Sequence, residues 1–192
     1  MIDPVTFRPV ALADLPTIQR WLNTPHVYEW WGVRSGPGSL GGPGEHAATD
    51  EQVYEKYAPG VAADDATTLR HVIVVDGRDI GLIQHYRLAD EPEYATAIGE
   101  TEPGGAGIDL FVGEPELVDR GIGPRVLDAY VRDVVFADRR VTRAVAGPHP
   151  DNLRSCRAFE KAGFAFVRDA VVPDEGPERI YVRTRDARRL PG

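Results

Sequence analysis

The 192-residue chain is short of several things that would point to other functions. It has one cysteine, Cys156, which excludes an internal disulfide and cannot by itself build a zinc site, so stability rests on packing. No apolar run approaches the roughly 18 residues that a membrane-spanning helix needs. The first residues also lack the charged start and apolar block of a secretory signal, so a soluble cytoplasmic protein with no membrane partner is expected. The five histidines are scattered, and neither a His-x-x-x-His nor a carboxylate cluster shows ligand spacing, so no metal is expected. Cys156 has no histidine near it in sequence, which argues for a small packing residue rather than a nucleophile.

Positive charge is scarce in one part of the chain. The net charge of −8 argues against nucleic-acid binding. Residues 1–119 hold 20 acids against 7 Arg or Lys, giving −13, whereas residues 120–192 hold 10 acids against 15 bases, giving +5. Between residues 88 and 119 stand Asp90, Glu91, Glu93, Glu100, Glu102, Asp109, Glu114, Glu116 and Asp119, with no Lys, Arg or His among them. Two readings stay open for this stretch: a solvated acidic loop, or a surface that attracts a polycation.

The length suits one domain over residues 1–192, with no repeat or linker to divide it. Residues 5–10 read as a strand, and Leu15, Ile18 and Leu22 recur at helical spacing after Asp14 and Pro16. Trp30 and Trp31 are adjacent, so they point in different directions and at least one ring is available outside the core. Residues 34–44 are rich in Gly and Pro and read as a loop. Thr49 with Gln52 forms a capping-box pattern that starts a short helix through Tyr57, ended by Pro59 and Gly60. That loop and helix suit a lid. Residues 69–75 and 80–86, joined at Asp76-Gly77, read as a hairpin with Gln84 and Tyr86 on one face of its second strand.

The most informative stretch runs from Gly107 to Arg125. Gly-Ile-Asp-Leu-Phe-Val reads as a central strand, in which the carboxylate of Asp109 is out of place unless it is paired or functional. The turn Arg120-Gly-Ile-Gly-Pro-Arg125 then opens a helix whose apolar face is Val126, Leu127, Tyr130, Val131 and Val134. Glycine at such a helix start leaves amides and the positive helix end open to an anion, with Arg120 and Arg125 adding charge. A Gly-x-Gly alone is a weak signal that a tight turn also explains, and the dinucleotide fingerprint fails because position 126 is Val126. A further strand over 141–146, a helix from Asp151 or Asn152 to Ala162 with Gly163 as its stop, and a last strand pair around Pro173-Asp-Glu-Gly-Pro177 complete the chain.

The glycine turn, followed by Asn152-Leu-Arg-Ser-Cys-Arg-Ala-Phe-Glu-Lys-Ala-Gly-Phe164, resembles the motifs of the GCN5-related N-acetyltransferases. Within that superfamily the chain is similar to the aminoglycoside 6′-N-acetyltransferases, through Trp21-Leu-Asn, His26 with Glu29-Trp-Trp-Gly32, Tyr57-Ala-Pro59, Gln84-His-Tyr86, Gly107-Ile-Asp109 and Pro173-Asp174. The resemblance implies an α/β (α+β) fold with a mixed, mostly antiparallel twisted sheet of six to seven strands, about four flanking helices and splayed central strands. It implies direct transfer of an acetyl group from acetyl-CoA to a primary amine of an aminoglycoside, with no metal. It also implies that Asp109 holds and deprotonates the amine. Gly121, Ile122, Gly123, Pro124 and Arg125, beside Arg120, match the pyrophosphate loop, and Asn152 matches a coenzyme contact. Trp30, Trp31, Tyr57, Gln84, Tyr86 and Asp174 match positions that line the amine. Strand amides at Phe111 or Val112 suit the thioester oxygen as negative charge develops there.

Two positions depart from the resemblance. Phe159 stands where a tyrosine protonates the departing thiolate, and a phenyl ring has no proton to give. Gly147 stands where the resistance enzymes carry an aspartate that helps hold the polycation. Alternatives are a siderophore-type acyltransferase acting on an N-hydroxylysine-type amine, or a weakly active aminoglycoside-binding protein. The sequence leaves monomer and homodimer both open.

Overall fold

The computed structural model describes residues 4–31, 48–62 and 67–185. The loop over residues 34–44 expected to act as a lid lies outside them. A seven-stranded sheet runs in the order β1-β2-β3-β4-β5-β7-β6. Its strands are β1 (Val5–Pro9), β2 (Thr68–Val75), β3 (Arg78–Arg87), β4 (Gly105–Val112), β5 (Arg143–Ala146), β6 (Ala165–Val172) and β7 (Gly176–Thr184). All pairings are antiparallel except β4 with β5. The β2–β3 hairpin closes as expected at Asp76-Gly77, where both residues take positive φ, 53° and 70°, as a two-residue turn matched to strand twist requires.

Among the described residues six α-helices flank the sheet: α1 (Leu15–Leu22), α2 (Pro25–Trp31), α3 (Asp50–Ala62), α4 (Pro92–Ile98), α5 (Ile122–Asp133) and α6 (Leu153–Lys161). Four of these are legible in the sequence. The other two, α2 and α4, have seven residues each, too few to show a helical repeat, though both begin with proline at the helix start. The capping box of α3 forms as expected, Thr49 N–H donating to Gln52 Oε1 at 3.0 Å and Gln52 N–H to Thr49 Oγ1 at 3.2 Å. Pro59 and Gly60 do not end that helix, which continues through them to Ala62. Pro59 removes one backbone bond, but Val53, Tyr57 and Ala58 are buried with α1, and that packing holds the segment helical against a proline penalty of about 3 kcal/mol.

The two faces of the sheet are unequal. On one, α5 and α6 pack over Ile73, Ile83, Ile108 and Ala144 in the largest core. The other carries two smaller cores, one under α1, α2 and α3 with Leu82 and Phe111, the other under α4 with Leu88, Val145 and Ile180. Gln84 and Asp109 belong to this second face, between its two cores, because they alternate with Leu82 and Phe111 along their strands.

The acidic stretch is not a loop. It holds α4 and β4, and its buried acids are occupied by arginine. Glu100 accepts from Arg143 Nε at 3.0 Å and Arg168 at 3.1 Å, and Glu114 accepts from Arg20 at 2.7 Å. Two of the nine acids expected to attract a polycation are therefore spent inside the protein, while Asp90, Glu91, Glu93, Glu102, Glu116 and Asp119 stay exposed.

Candidate active site

The sheet opens at its centre. β4 pairs with β3 from Ala106 to Val112 but with β5 only through Gly105, Ala106 and Gly107, opposite Arg143, Ala144 and Val145. β5 ends at Ala146 and is followed by Gly147, Pro148, His149 and Pro150. The prolines have no N–H to continue a ladder, so past Gly107 β4 keeps β3 but leaves β5. Among the described residues β4 has no strand on its β5 side past Gly107, as splayed strands require.

Asp109 stands on that free edge. Gln84, its register partner on β3, donates from Nε2 to Asp109 Oδ2 at 3.0 Å. Arg70, opposite Gln84 on β2, donates from Nε to Gln84 Oε1 at 3.2 Å. Arginine can only donate, so the Gln84 oxygen must face it and the amide NH₂ must face the carboxylate. The Arg70 guanidinium also lies 5.3 Å over the Tyr57 ring. Burial pulls its pKa down from the usual value, opposed by the charges of Tyr57 and Asp109. Arg70 was not singled out in the sequence; its only signal there was its place opposite Gln84 in the hairpin.

Tyr86 continues the face. A side chain at Gly107 would fall 2.4 Å from the Tyr86 ring, so glycine there lets the ring lie on β4. Tyr94, from α4, sits 6.4 Å from Tyr86, edge to face, and donates to Glu178 Oε2 at 2.9 Å. Burial holds both phenols well above their usual pKa. The nearby acids add to this, Asp109 foremost for Tyr86 and Glu178 for Tyr94. Both tyrosines therefore remain protonated donors. Asp174 lies on the exposed β6–β7 turn with φ 62°, and it is the charge of its neighbour Glu175 that reaches Tyr86 and Tyr94.

The aromatic pair divides its work. Trp31 packs edge-on against Phe111 at 4.8 Å and donates to the Tyr57 hydroxyl at 3.3 Å, which ties both rings to the core under α3. Trp30 instead lies 5.8 Å from the His149 ring, beyond the end of β5. Its helix is anchored to β4 by a His26 ring nitrogen 2.8 Å from the Val112 carbonyl.

On the far side of β4, Gly121 takes φ 73° and opens α5 with no side-chain cap. No atom lies within 4 Å of where a Cβ at Gly121 would point. Gly123 brings α5 to within 3.5 Å of the Ala158 methyl, measured from where its own Cβ would stand. Pro124 has no N–H, so the donors of this turn are Ile122, Gly123 and Arg125. Arg120 and Arg125 are exposed beside it. Asn152 is the residue that caps α6, its Oδ1 accepting from Ser155 N–H at 3.1 Å, so the cap uses its oxygen and not its NH₂. Phe159 is 3% exposed, packed between Phe164 at 5.2 Å and Tyr181 at 6.3 Å. Among the described residues no group of three or more His, Cys, Asp or Glu could hold a metal ion, and no helix is long and apolar enough to cross a membrane.

A sheet that parts beside a carboxylate and a helix start with no side-chain cap suit an acyltransferase. Residues 11–172 match the family described as the acetyltransferase (GNAT) domain, and the chain belongs to that family. It is 34% identical to the aminoglycoside N(6′)-acetyltransferase type 1 of Klebsiella pneumoniae, over 96% of this chain and 85% of that protein. It is 28% identical to the lysine N-acyltransferase MbtK of a Mycobacterium strain, over 87% of this chain and 62% of that protein. A solved structure of AAC(6′)-Ib with ribostamycin and coenzyme A superposes with a TM-score of 0.78 at 31% identity, covering 99% of this chain and 100% of that one.

Proposed function

We propose that residues 1–192 act as one cytoplasmic enzyme domain that transfers the acetyl group of acetyl-CoA directly to a primary amine of an aminoglycoside. The observation that carries the reading is the place of Asp109, held by Gln84 on the free edge of β4 where the sheet parts. The similarity to an aminoglycoside acetyltransferase, and to a structure holding ribostamycin and coenzyme A, supports it.

An ammonium of pKa about 10 is almost wholly protonated at neutral pH. Asp109 binds that cation and takes its proton, directly or through one water, which frees the lone pair for attack on the thioester carbonyl. The β4 peptide N–H at Val112, on the side of the strand away from β3, receives the carbonyl oxygen as it becomes negative, whereas the N–H at Phe111 belongs to the β3 ladder. Ile122, Gly123 and Arg125 at the start of α5, with Arg120 and Asn152 beside them, hold the coenzyme pyrophosphate and its neighbours. Trp30, Trp31, Gln84, Tyr86 and Asp174 form the acceptor side, with Tyr57, buried in the core, holding Trp31 through its hydroxyl. Holding two substrates in line is worth ~7 to 11 kcal/mol at best. The thiolate leaves to water, since Phe159 has no proton to donate and is enclosed in the core.

The test is release of coenzyme A thiol from acetyl-CoA with a panel of aminoglycosides, including kanamycins, ribostamycin and kasugamycin. Turnover on at least one is expected, and none on any would overturn the proposal. The similarity to a lysine N-acyltransferase favours a second reading, acylation of an N-hydroxylysine-type amine. That reading predicts faster transfer from longer acyl-CoA thioesters than from acetyl-CoA.

A further inference from the structure

Glycine at position 147 has a structural consequence on the wall of the cleft. In the parallel β4–β5 pair, Gly107 stands opposite Val145. Asp109 lies two residues further along β4, and Gly147 is the first residue beyond β5; its nearness to Tyr94, which lies against Tyr86, puts it on the sheet face that carries Tyr86 and Asp109. A Cβ built on Gly147 would lie 1.9 Å from Glu178 Oε2 and 2.9 Å from the Tyr94 hydroxyl. The space of a side chain at 147 is thus filled from the neighbouring strand by the carboxylate of Glu178, which is 2% exposed.

This puts a carboxylate on each lip of the opening. Between them lie the Tyr86 ring, against Gly107, and the Tyr94 ring, whose hydroxyl holds Glu178. The charges of both acids act on both phenols, so the two carboxylates share one electrostatic environment of low polarity. Aromatic faces between two acids suit a ligand with cationic groups at two points.

We infer that Glu178, admitted by the missing side chain of Gly147, is a specificity-determining residue that holds a second ammonium of the acceptor while Asp109 holds the reacting one. The inference deepens the proposed function and rests on it. It makes the number of ammonium groups on the acceptor, rather than its ring skeleton alone, a determinant of affinity. A mono-amine gains nothing from Glu178.

The test compares the wild type with Glu178→Gln, which keeps shape and removes charge, and with Glu178→Ala combined with Gly147→Asp, which returns a carboxylate to the same space from β5. Thiol release is followed with kanamycin and with a mono-amine sugar. Glu178→Gln is expected to raise the KM for kanamycin about tenfold, with kcat within about twofold and the KM for acetyl-CoA unchanged. The mono-amine is expected not to respond, and the double variant to recover to within about threefold of wild type. An unchanged kanamycin KM in Glu178→Gln, with the wild type active, overturns this inference and leaves the proposed function standing. Should Glu178→Gln fail to fold, the double variant decides: a kanamycin KM raised about tenfold despite wild-type melting overturns it. If the wild type turns over no aminoglycoside, calorimetry with kanamycin separates the two claims. Binding that weakens about tenfold in Glu178→Gln supports the role of Glu178 without the transfer reaction, and no binding by the wild type overturns both.

Discussion

Gln84 Nε2 donates to Asp109 Oδ2 at 3.0 Å across the β3–β4 ladder. One carboxylate oxygen is thereby fixed in the sheet, and the group is oriented toward the opening. Replacing Asp109 by Asn keeps the size of the side chain and removes both its charge and its capacity to accept a proton. The expected result is a kcat lower by about 10²- to 10⁴-fold at neutral pH, with a melting temperature close to wild type. Stopped-flow or steady-state thiol release checks this, and a variant as fast as wild type would remove Asp109 from the base role.

Arg70 acts one step further back. It takes Gln84 Oε1 and so dictates which end of the amide meets Asp109. Arg70→Met preserves much of the stem packed near Tyr57 but lets the Gln84 amide turn over, which would place an oxygen against the carboxylate. A kcat loss of about tenfold is expected, with the KM for acetyl-CoA unchanged. Gln84→Leu should lose a similar amount, and the double variant should lose no more than either alone, because the two residues act as a unit. Additive losses would show that Arg70 works on the substrate independently.

The pH dependence of stability has an identifiable source away from the cleft. His71 and His85 both place Nδ1 2.8 Å from the Tyr130 hydroxyl, behind the sheet. Burial, reinforced by the neighbouring His71, pushes the His85 pKa down to about 4, with Asp138 opposing. Because the folded value lies below the unfolded one, the unfolded chain binds the proton first as pH falls. The contribution is therefore fully present above pH ~6.5 and is lost between there and pH ~4. Thermal melts from pH 7.5 to 4.5 should show a decline that His85→Gln flattens, by on the order of 2 kcal/mol at the acid end. Equal slopes for the two proteins would show that other groups set the acid limit.

How far the sequence could carry these conclusions depends on what each residue needs. Asp109 was legible because an acid on an apolar strand is costly unless used, and the turn at Gly121 was legible because glycines before an amphipathic face mark a helix start. The β2–β3 register was also legible, since the Asp76-Gly77 turn fixes it. Arg70 and Glu178 were not. Arg70 needs the pairing of β3 with β4 before it connects to Asp109, and no short turn sets that pairing. Glu178 reaches the cleft only because β7 runs beside β5 and Gly147 leaves room. The acidic stretch misled for a related reason: composition shows charge, whereas only the fold shows that arginines from elsewhere in the chain neutralise Glu100 and Glu114.

Glu114 supplies a prediction that separates stability from function. Its Oε1 accepts from Trp21 Nε1 at 2.8 Å and from Arg20 at 2.7 Å, while Oε2 meets Arg78 at 3.3 Å. Those bonds tie α1 to the end of β4, and Glu114 is 8% exposed with Trp21 at 1%. Glu114→Ala would leave the indole N–H buried without an acceptor, a defect worth about 1 to 3 kcal/mol before any loss from the arginines. Glu114→Gln keeps an oxygen for the indole and should lose less, so the order of melting temperatures is expected to be wild type, then Gln, then Ala. Both variants retain Asp109 and its Gln84 partner, so their kcat at 20 °C should stay near wild type while half-lives at raised temperature shorten. A Glu114→Ala protein that melts with wild type would mean that water satisfies Trp21 and that α1 is held to β4 by packing alone.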